Sequence, residues 1–147
     1  MKIAIGSDPN AQKAKEELIE YLKKRDGTEI KDFGSDDVIY AKVAIEVAKA
    51  VASRQYDRGI LLCGTGIGVS LAANKVKGAY AALISDIYSA KRARLSNNAN
   101  IACLGAFTTG SKVREELIEA FLSNEFKQDG PSQRKVEAYV SYDENRK

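Results

Sequence analysis

One cysteine and three glycines stand together near the middle of the chain. Cys63 follows an apolar run, residues 59–62, and precedes the turn Gly64–Gly68 and a segment rich in helix formers. A strand, a glycine turn and a helix start place unpaired backbone N–H groups at the carboxyl end of a sheet, where anions and oxyanions bind readily. A thiol is a nucleophile and, once ionised, a base. We therefore expect the active site, if the chain has one, at Cys63.

The glycine spacing disfavours a nucleotide-binding loop. Gly64-x-Gly66-x-Gly68 is one residue short of the dinucleotide fingerprint, and it lacks the Gly-Lys-Ser/Thr ending of a P-loop. The alternative is a tight turn that packs a helix against its strand, with Cys63 as a small buried hydrophobe. Thr65 and the thiol beside the glycines favour a functional loop.

Composition disfavours several classes of protein. The 147 residues suit one domain, and a net charge of +3 spread over helix faces argues against a dedicated nucleic-acid binder. No apolar stretch reaches the length of a membrane span, and the sequence shows no signal peptide. Two cysteines make no disulfide framework, so we expect a cytoplasmic protein, and Cys103 inside a strand pattern reads as structural. The chain has no histidine, and we expect neither a metal nor an organic cofactor.

Strand and helix patterns alternate along the chain. Asp8 is a candidate N-cap, with Pro9 at the first helical position. We predict strands over 2–6, 28–33, 59–62, 79–84 and 101–105, and helices over 9–25, 40–53, 69–75, 86–96, 110–126 and 133–143. This alternation predicts an α/β domain with a parallel sheet covered by helices on both faces.

Three motifs in order carry a family resemblance. The chain has Ile-Ala-Ile-Gly-Ser-Asp8, then Leu-Cys-Gly-Thr-Gly-Ile-Gly followed by Ala-Ala-Asn-Lys75, then Asp86-x-Tyr-Ser-Ala with Asn97-Asn-Ala-Asn. To about Glu137 it resembles the type-B ribose-5-phosphate isomerase and galactose-6-phosphate isomerase family. The resemblance implies an aldose–ketose isomerase acting on a sugar or sugar phosphate.

The resemblance also implies an architecture and an assembly. The expected fold is a Rossmann-like three-layer α/β/α sandwich with a five-stranded parallel sheet, formed by a single domain over residues 1–147. The expected assembly is a homodimer or tetramer, or a hetero-oligomer, with active sites shared between subunits. In it, the segment from about residue 131 packs on a partner subunit.

The resemblance assigns roles around the central turn. Cys63 matches the general base that moves a proton between C1 and C2 through a cis-enediolate. Thr65 and the turn match the anion hole that holds the developing oxyanion, formed here with Gly64, Gly66 and Gly68. A thiol facing a helix start and backbone donors aimed at an enediolate are chemically suited to this reaction.

Other positions match substrate-binding residues, each with a simpler alternative. Asp8 matches an aspartate that holds sugar hydroxyls, and it is also an N-cap candidate. Tyr40 matches a site tyrosine, or it packs in the core. Asn97 matches an asparagine that contacts the sugar. Ser70 is a further candidate for polarising a substrate oxygen, or a solvent-facing serine.

The chain departs from the family pattern where the phosphate is held and the sugar ring opened. Positions of the family's phosphate-contacting histidines and arginines carry uncharged residues here: Pro9, Phe107, Pro131 and Ser132. Ser96 stands at the position of the ring-opening histidine and is the candidate replacement. Arg134 or Lys135 can stand for the second arginine of the C-terminal segment.

Three interpretations follow from these departures. The first is a working isomerase with an altered substrate, such as another sugar phosphate, an open-chain tetrose phosphate or an unphosphorylated sugar. The second is one subunit of a hetero-oligomeric isomerase of the galactose-6-phosphate type. The third is a non-catalytic sugar-phosphate-binding homologue, which the retained Cys63, Thr65 and Asn97 disfavour. We favour an isomerase that interconverts a sugar phosphate such as ribose 5-phosphate and ribulose 5-phosphate.

Overall fold

A five-stranded sheet forms the centre of the molecule. The computed structural model describes residues 1–146. All strand pairs are parallel, in the order β2-β1-β3-β5-β4. The strands are β1 Lys2–Ser7, β2 Glu29–Asp32, β3 Arg58–Cys63, β4 Ala81–Leu83 and β5 Ile101–Gly105. The helices are α1 Gln12–Leu22, entered through a 3-10 turn at Pro9–Ala11, then α2 Tyr40–Ala52, α3 Ile67–Ala73, α4 Ile87–Leu95, α5 Ser111–Leu122 and α6 Gln133–Asn145.

Two apolar clusters cover the two faces of the sheet. Successive side chains of a strand point to opposite faces, so Leu61 and Leu62 in β3 belong to different clusters. One cluster joins the sheet to α1, α4 and α5, with Phe121 as its largest buried side chain. The other joins the sheet to α2 and α3. The predicted three-layer α/β/α sandwich is therefore confirmed.

Side chains that bind backbone groups set several element ends. β4 begins at Ala81, two residues later than predicted, and just before it the Tyr80 backbone N–H donates to the side-chain oxygen of Asn100 at 2.8 Å. α5 ends before its predicted limit, where the side chain of Asn124 donates to the Ala120 carbonyl at 2.7 Å. Capping groups of this kind satisfy backbone atoms that a longer element would have paired.

The last helix lies along the edge of the sheet where the parallel strands begin. The backbone N–H of Gly78, just before β4, donates to Asp143 Oδ2 of α6 at 2.7 Å. The hydroxyl of Tyr139 donates to the Asn97 carbonyl, in the loop just before β5. Packing of α6 on a partner subunit stays a prediction. Among the residues that the structure describes, none of the helices combines the length and apolar character of a membrane span.

Candidate active site

Three central strands end side by side at the carboxyl edge of the sheet. β1 ends at Ser7, which pairs with Leu62, and Cys63 at the end of β3 pairs with Gly105 at the end of β5. In the sheet, β2 lies on one side of β1 and β3 lies on the other side. The direction in which the chain adds strands therefore reverses between β1 and β3. Ligands of open α/β sheets bind in the crevice at such a point.

The Cys63 thiol lies inside the curve of the glycine turn. Only 5% of the residue is exposed, and Sγ accepts a hydrogen bond from the Gly66 backbone N–H at 3.1 Å. Gly66 has a φ of 78°, a conformation that residues with a side chain rarely adopt. The turn therefore folds back over the sulfur and presents a backbone donor to it.

Thr65 stands on the exposed rim of the same turn. Its Oγ1 accepts from the Ile67 backbone N–H at 3.3 Å, at the first residue of α3. One turn into α3, the Ser70 hydroxyl donates to the Ile67 carbonyl at 2.8 Å. Both predicted site hydroxyls thus lie at the start of α3, beside the turn.

Asp8 follows β1 and lies almost fully buried. Its Oδ1 accepts from the Ala11 backbone N–H at 3.2 Å, so the predicted N-cap is confirmed. Its own backbone N–H donates to the carbonyl of Leu62, the residue before the thiol. Oδ2 has a long contact of 3.4 Å with Asn10. The backbone of Asp8 is thus fixed at the end of β3, and the role of its carboxylate in binding a sugar stays a prediction.

Two aromatic rings flank the glycine turn. A methyl group added at Gly68 would lie 2.5 Å from Cζ of Tyr40, the first residue of α2. A methyl group added at Gly64 would lie 2.9 Å from Cδ2 of Phe107, in the loop after β5. Tyr40 is 42% and Phe107 73% exposed. The glycines therefore make room for rings at both ends of the turn, and Tyr40 reaches the predicted site.

The remaining predicted residues lie at the other edge of the sheet. α4 starts near the carboxyl edge and runs back over nine residues, about 13 Å. Ser96 and Asn97 follow its end, in the loop that enters β5, and Arg134 and Lys135 lie in the first turn of α6. Within one chain these four residues therefore follow or precede the elements at the edge where β5 begins, whereas Cys63 ends β3 at the opposite edge.

Two cations near this second group were missed by the sequence analysis. Arg92 and Lys127 line a cavity of about 220 Å³. Leu95, at the end of α4, and Pro131 and Ser132, just before α6, complete its lining. Arg92 also lines a neighbouring groove with Asn97. The sequence signal for Arg92 was its position four residues before Ser96, the residue that caps the end of α4, because residues four apart lie on the same side of a helix.

The second cysteine differs from the first in its surroundings. Cys103 lies in β5 and is fully buried, as the strand pattern predicted. Burial raises the pKa of the Cys103 thiol, and the nearby Cys63 raises it further. Within residues 1–146, no three side chains of the types that ligate metals come together.

Comparison with known proteins places this fold and site in a defined class. The sequence model of the family described as Ribose/Galactose Isomerase matches residues 3–139. A ribose-5-P isomerase B of Listeria innocua is 44% identical over 98% of this chain and 98% of its own length. A D-erythrulose-4-phosphate isomerase of Pectobacterium atrosepticum is 42% identical over 100% and 98%. The type B ribose 5-phosphate isomerase of Trypanosoma cruzi superposes with a TM-score of 0.94, at 38% identity over 99% of this chain and 100% of that chain.

The fold that this chain shares with the Trypanosoma enzyme is the parallel α/β sandwich, and the relatives are named as sugar-phosphate isomerases. The chain belongs to the Ribose/Galactose Isomerase family, and it is an isomerase. The family resemblance predicted from the sequence is thereby confirmed.

Proposed function

We propose that the protein is an aldose–ketose isomerase that uses Cys63 as its base on a sugar phosphate. The observation that carries the proposal is the thiol at the end of β3, enclosed by the glycine turn and 3.1 Å from the Gly66 N–H. Backbone donors fixed before the reaction stabilise an oxyanion without reorganising. The named activities of the relatives support the same class of reaction.

The proposed reaction needs one base and one pair of oxygens. The Cys63 thiolate takes the proton from C2 of the aldose, the electrons form a C1–C2 double bond, and the carbonyl oxygen becomes the enediolate oxygen. The thiol then returns the proton to C1, while the proton of the C2 hydroxyl moves to the C1 oxygen and leaves a ketone at C2. The glycine turn with Thr65 faces the developing negative charge.

Ribose 5-phosphate and ribulose 5-phosphate are the proposed substrate pair. Ribose 5-phosphate closes to a furanose, so turnover requires a group that opens the ring. The chain has no histidine for this step, so Ser96 or a bound water is the proposed replacement. The Listeria and Trypanosoma relatives, named as ribose-5-phosphate isomerases, support this pair.

A tetrose 4-phosphate is a second candidate, favoured by the same absence of histidine. A tetrose phosphorylated on O4 has no free hydroxyl that can close a furanose, so it reacts from the open chain without a ring-opening group. The Pectobacterium relative is named a D-erythrulose-4-phosphate isomerase. A chain with Ser96 at the ring-opening position suits such a substrate.

We further propose that two subunits complete each site. None of the predicted site residues at the carboxyl edge around Cys63 is a cation that could bind the phosphate. The candidate cations lie elsewhere in the chain: Arg134 and Lys135 in α6, and Arg92 and Lys127 at the cavity before it. The carboxyl edge also exposes large apolar side chains: Val38, Ile39, Tyr40, Ile67, Leu71, Leu83, Tyr88 and Phe107. Exposed apolar surface of this extent is typical of an interface. A second copy would cover it and bring its cations to the phosphate.

Turnover on a substrate panel tests the proposal. The panel holds ribose 5-phosphate, erythrose 4-phosphate, galactose 6-phosphate and the free sugars, with wild type beside Cys63→Ala and the matched Cys103→Ala. We expect one phosphate ester to be converted by wild type and by Cys103→Ala, and by Cys63→Ala at least about a hundredfold more slowly. A pure chain that converts none of them requires a partner subunit or a binding function. Equal rates for the two cysteine variants contradict the proposed base.

A further inference from the structure

A buried arginine outside the proposed site connects two helices to the loop after β5. Arg114, in the first turn of α5, is 6% exposed. Its guanidinium donates to Glu17 Oε2 of α1 at 3.0 Å and to the backbone carbonyl of Thr109. A buried charge is costly unless it is paired and hydrogen-bonded. The pair therefore fixes the end of this loop relative to α1.

Thr109 passes this restraint to the end of β5. Its hydroxyl donates to the Gly105 carbonyl at 2.6 Å, and its backbone N–H donates to the same oxygen at 3.2 Å. The hydroxyl of Thr108 makes a third contact to that oxygen at 3.3 Å. Gly105 lies directly beside Cys63 in the register of β3 and β5.

The loop after β5 is also bound to the end of β3, which carries the thiol, and to the glycine turn that follows it. The first two backbone N–H groups after Gly105 donate to the carbonyls of Cys63 and Gly64, at 2.8 and 2.9 Å. A methyl group added at Gly105 would lie 2.8 Å from the carbonyl carbon and oxygen of Thr65. With no free space between the two loops, a displacement of one is transmitted to the other.

We propose that Arg114 is a positioning residue for the isomerase. Its pair with Glu17 holds Thr109, which is bonded to Gly105, the neighbour of Cys63 in the sheet. Through these contacts Arg114 keeps Cys63 and the glycine turn in their reactive geometry. The inference rests on the proposed function of Cys63. Arg114 contacts neither the thiol nor any of the predicted sugar-binding residues, so its loss acts on the geometry of proton transfer. A misplacement of about 1 Å is enough to cost about a hundredfold in rate.

A matched pair of variants separates positioning from stability. Arg114→Gln removes the contact to the loop. Arg25→Gln removes the ion pair with Glu119, which also connects the α1 segment to α5 but does not contact the loop. We expect Arg114→Gln to lower kcat by about tenfold or more with KM within about twofold, and Arg25→Gln to leave both unchanged. Equal losses in the two variants, or a change in KM alone, overturn the proposal.

Two milder variants keep the proposal testable if Arg114→Gln does not fold. Glu17→Gln keeps a hydrogen-bond acceptor without the charge, and Thr109→Val removes only the hydroxyl bond to Gly105. If the residues act as one unit, each variant lowers kcat, and the double variant loses less than the product of the single losses. Unchanged kcat in both single variants, or a fully multiplicative loss, contradicts the proposal.

A readout that does not depend on turnover distinguishes this inference from the proposed function. The rate at which iodoacetamide alkylates Cys63 reports the geometry of its loop in every variant. We expect Glu17→Gln and Arg114→Gln to change that rate and Arg25→Gln to leave it as in wild type. Equal rates in all of them refute the positioning role. Activity that survives in Cys63→Ala refutes the proposed function instead.

Discussion

The two cysteines lie on the same side of the sheet but in different surroundings. Cys63 sits at the end of its strand, where a backbone N–H of the glycine turn points at the sulfur. Both cysteines belong to the same apolar cluster, but Cys103 lies within its strand and is fully buried. We therefore propose that the same residue type acts as a base at position 63 and as a small hydrophobe at position 103.

Alkylation of the native protein should reveal this difference. We expect iodoacetamide to label Cys63 and to spare Cys103, because Cys103 is fully buried and burial raises the pKa of its thiol. Mass spectrometry of the labelled peptides measures both sites. Cys63→Ala serves as the control and should stay unlabelled until the protein is unfolded. Labelling of Cys103 in the folded protein at the rate of Cys63 would contradict the assignment.

Much of the site around the thiol was predictable from the sequence, because its residues follow strand ends. Asp8 and Cys63 each follow an apolar run, and the carboxyl ends of parallel strands meet at one edge. The rings over the turn were not predictable in the same way. Tyr40 and Phe107 reach their glycines through loops whose paths no local pattern specifies.

At the scale of elements, a buried arginine joins α4 to the segment that follows α5. Arg94 is almost fully buried and donates to the carbonyl of Ala99 at 2.6 Å, to Asn98 at 3.0 Å and to Glu125 at 2.6 Å. Burial and the neighbouring Arg58 lower the pKa of its guanidinium, while Glu125 raises it. The contacts fix the loop between α4 and β5, which carries Asn97.

Removing this side chain should destabilise the protein. Arg94→Met leaves buried carbonyl oxygens without donors, and we expect the free energy of unfolding to fall by about 2–4 kcal/mol. Urea unfolding measures the change. Lys91→Met, on the exposed side of the same helix, is the control and should alter stability by less than about 0.5 kcal/mol. Equal effects of the two substitutions would show that the contacts of Arg94 contribute little.

The docking of α6 should depend on pH through one tyrosine. Burial, and next the Asp143 carboxylate that accepts its hydroxyl hydrogen, raise the pKa of Tyr80 from 10.0 to about 12. A raised pKa means that the folded state holds the proton more tightly. The contribution of protonated Tyr80 to the free energy of unfolding is complete below about pH 10, and it is lost as the pH rises to about 12.

Comparison with Tyr80→Phe isolates this contribution from other groups that titrate at high pH. We expect the difference in unfolding free energy between wild type and Tyr80→Phe to be constant up to about pH 10 and to shrink towards pH 12. Denaturant titrations at a series of pH values measure it. A difference that does not change across this range would contradict the raised pKa.

At the scale of the whole molecule, the alternation of strands and helices was sufficient to predict the fold. The apolar runs of β1, β3 and β5 are buried on both faces, which is what a central parallel strand requires. The pairing of Glu17 with Arg114 was not predictable, since 97 residues separate them and only the packed structure brings them together. Asn97 follows α4 at the edge of the sheet opposite to Cys63 because α4 runs back from the carboxyl edge, and a set of matching motifs does not contain that direction.

The proposed composite site predicts complementation between inactive subunits. Cys63→Ala and Asn97→Ala chains, each inactive alone, are unfolded together and refolded. In a symmetric dimer, half of the molecules are then mixed, and each mixed dimer has one intact site. We expect about a quarter of the wild-type activity to return. The control mixes Cys63→Ala with Thr65→Ala, which lie in the same half-site and should restore nothing. If the first mixture recovers no activity, Cys63 and Asn97 of one site belong to the same chain, and the proposed composite site is wrong.

The measurement that tests the central claim most directly is exchange of solvent deuterium at C2 of the best aldose substrate. Wild type, Cys63→Ala and Cys103→Ala are incubated with the sugar in heavy water, and the recovered aldose is examined by NMR. Cys63 as the base predicts deuterium at C2 with wild type and Cys103→Ala, and none above background with a folded Cys63→Ala protein. Exchange that persists at the wild-type rate in Cys63→Ala would show that another group removes the proton, and the proposed mechanism would be wrong.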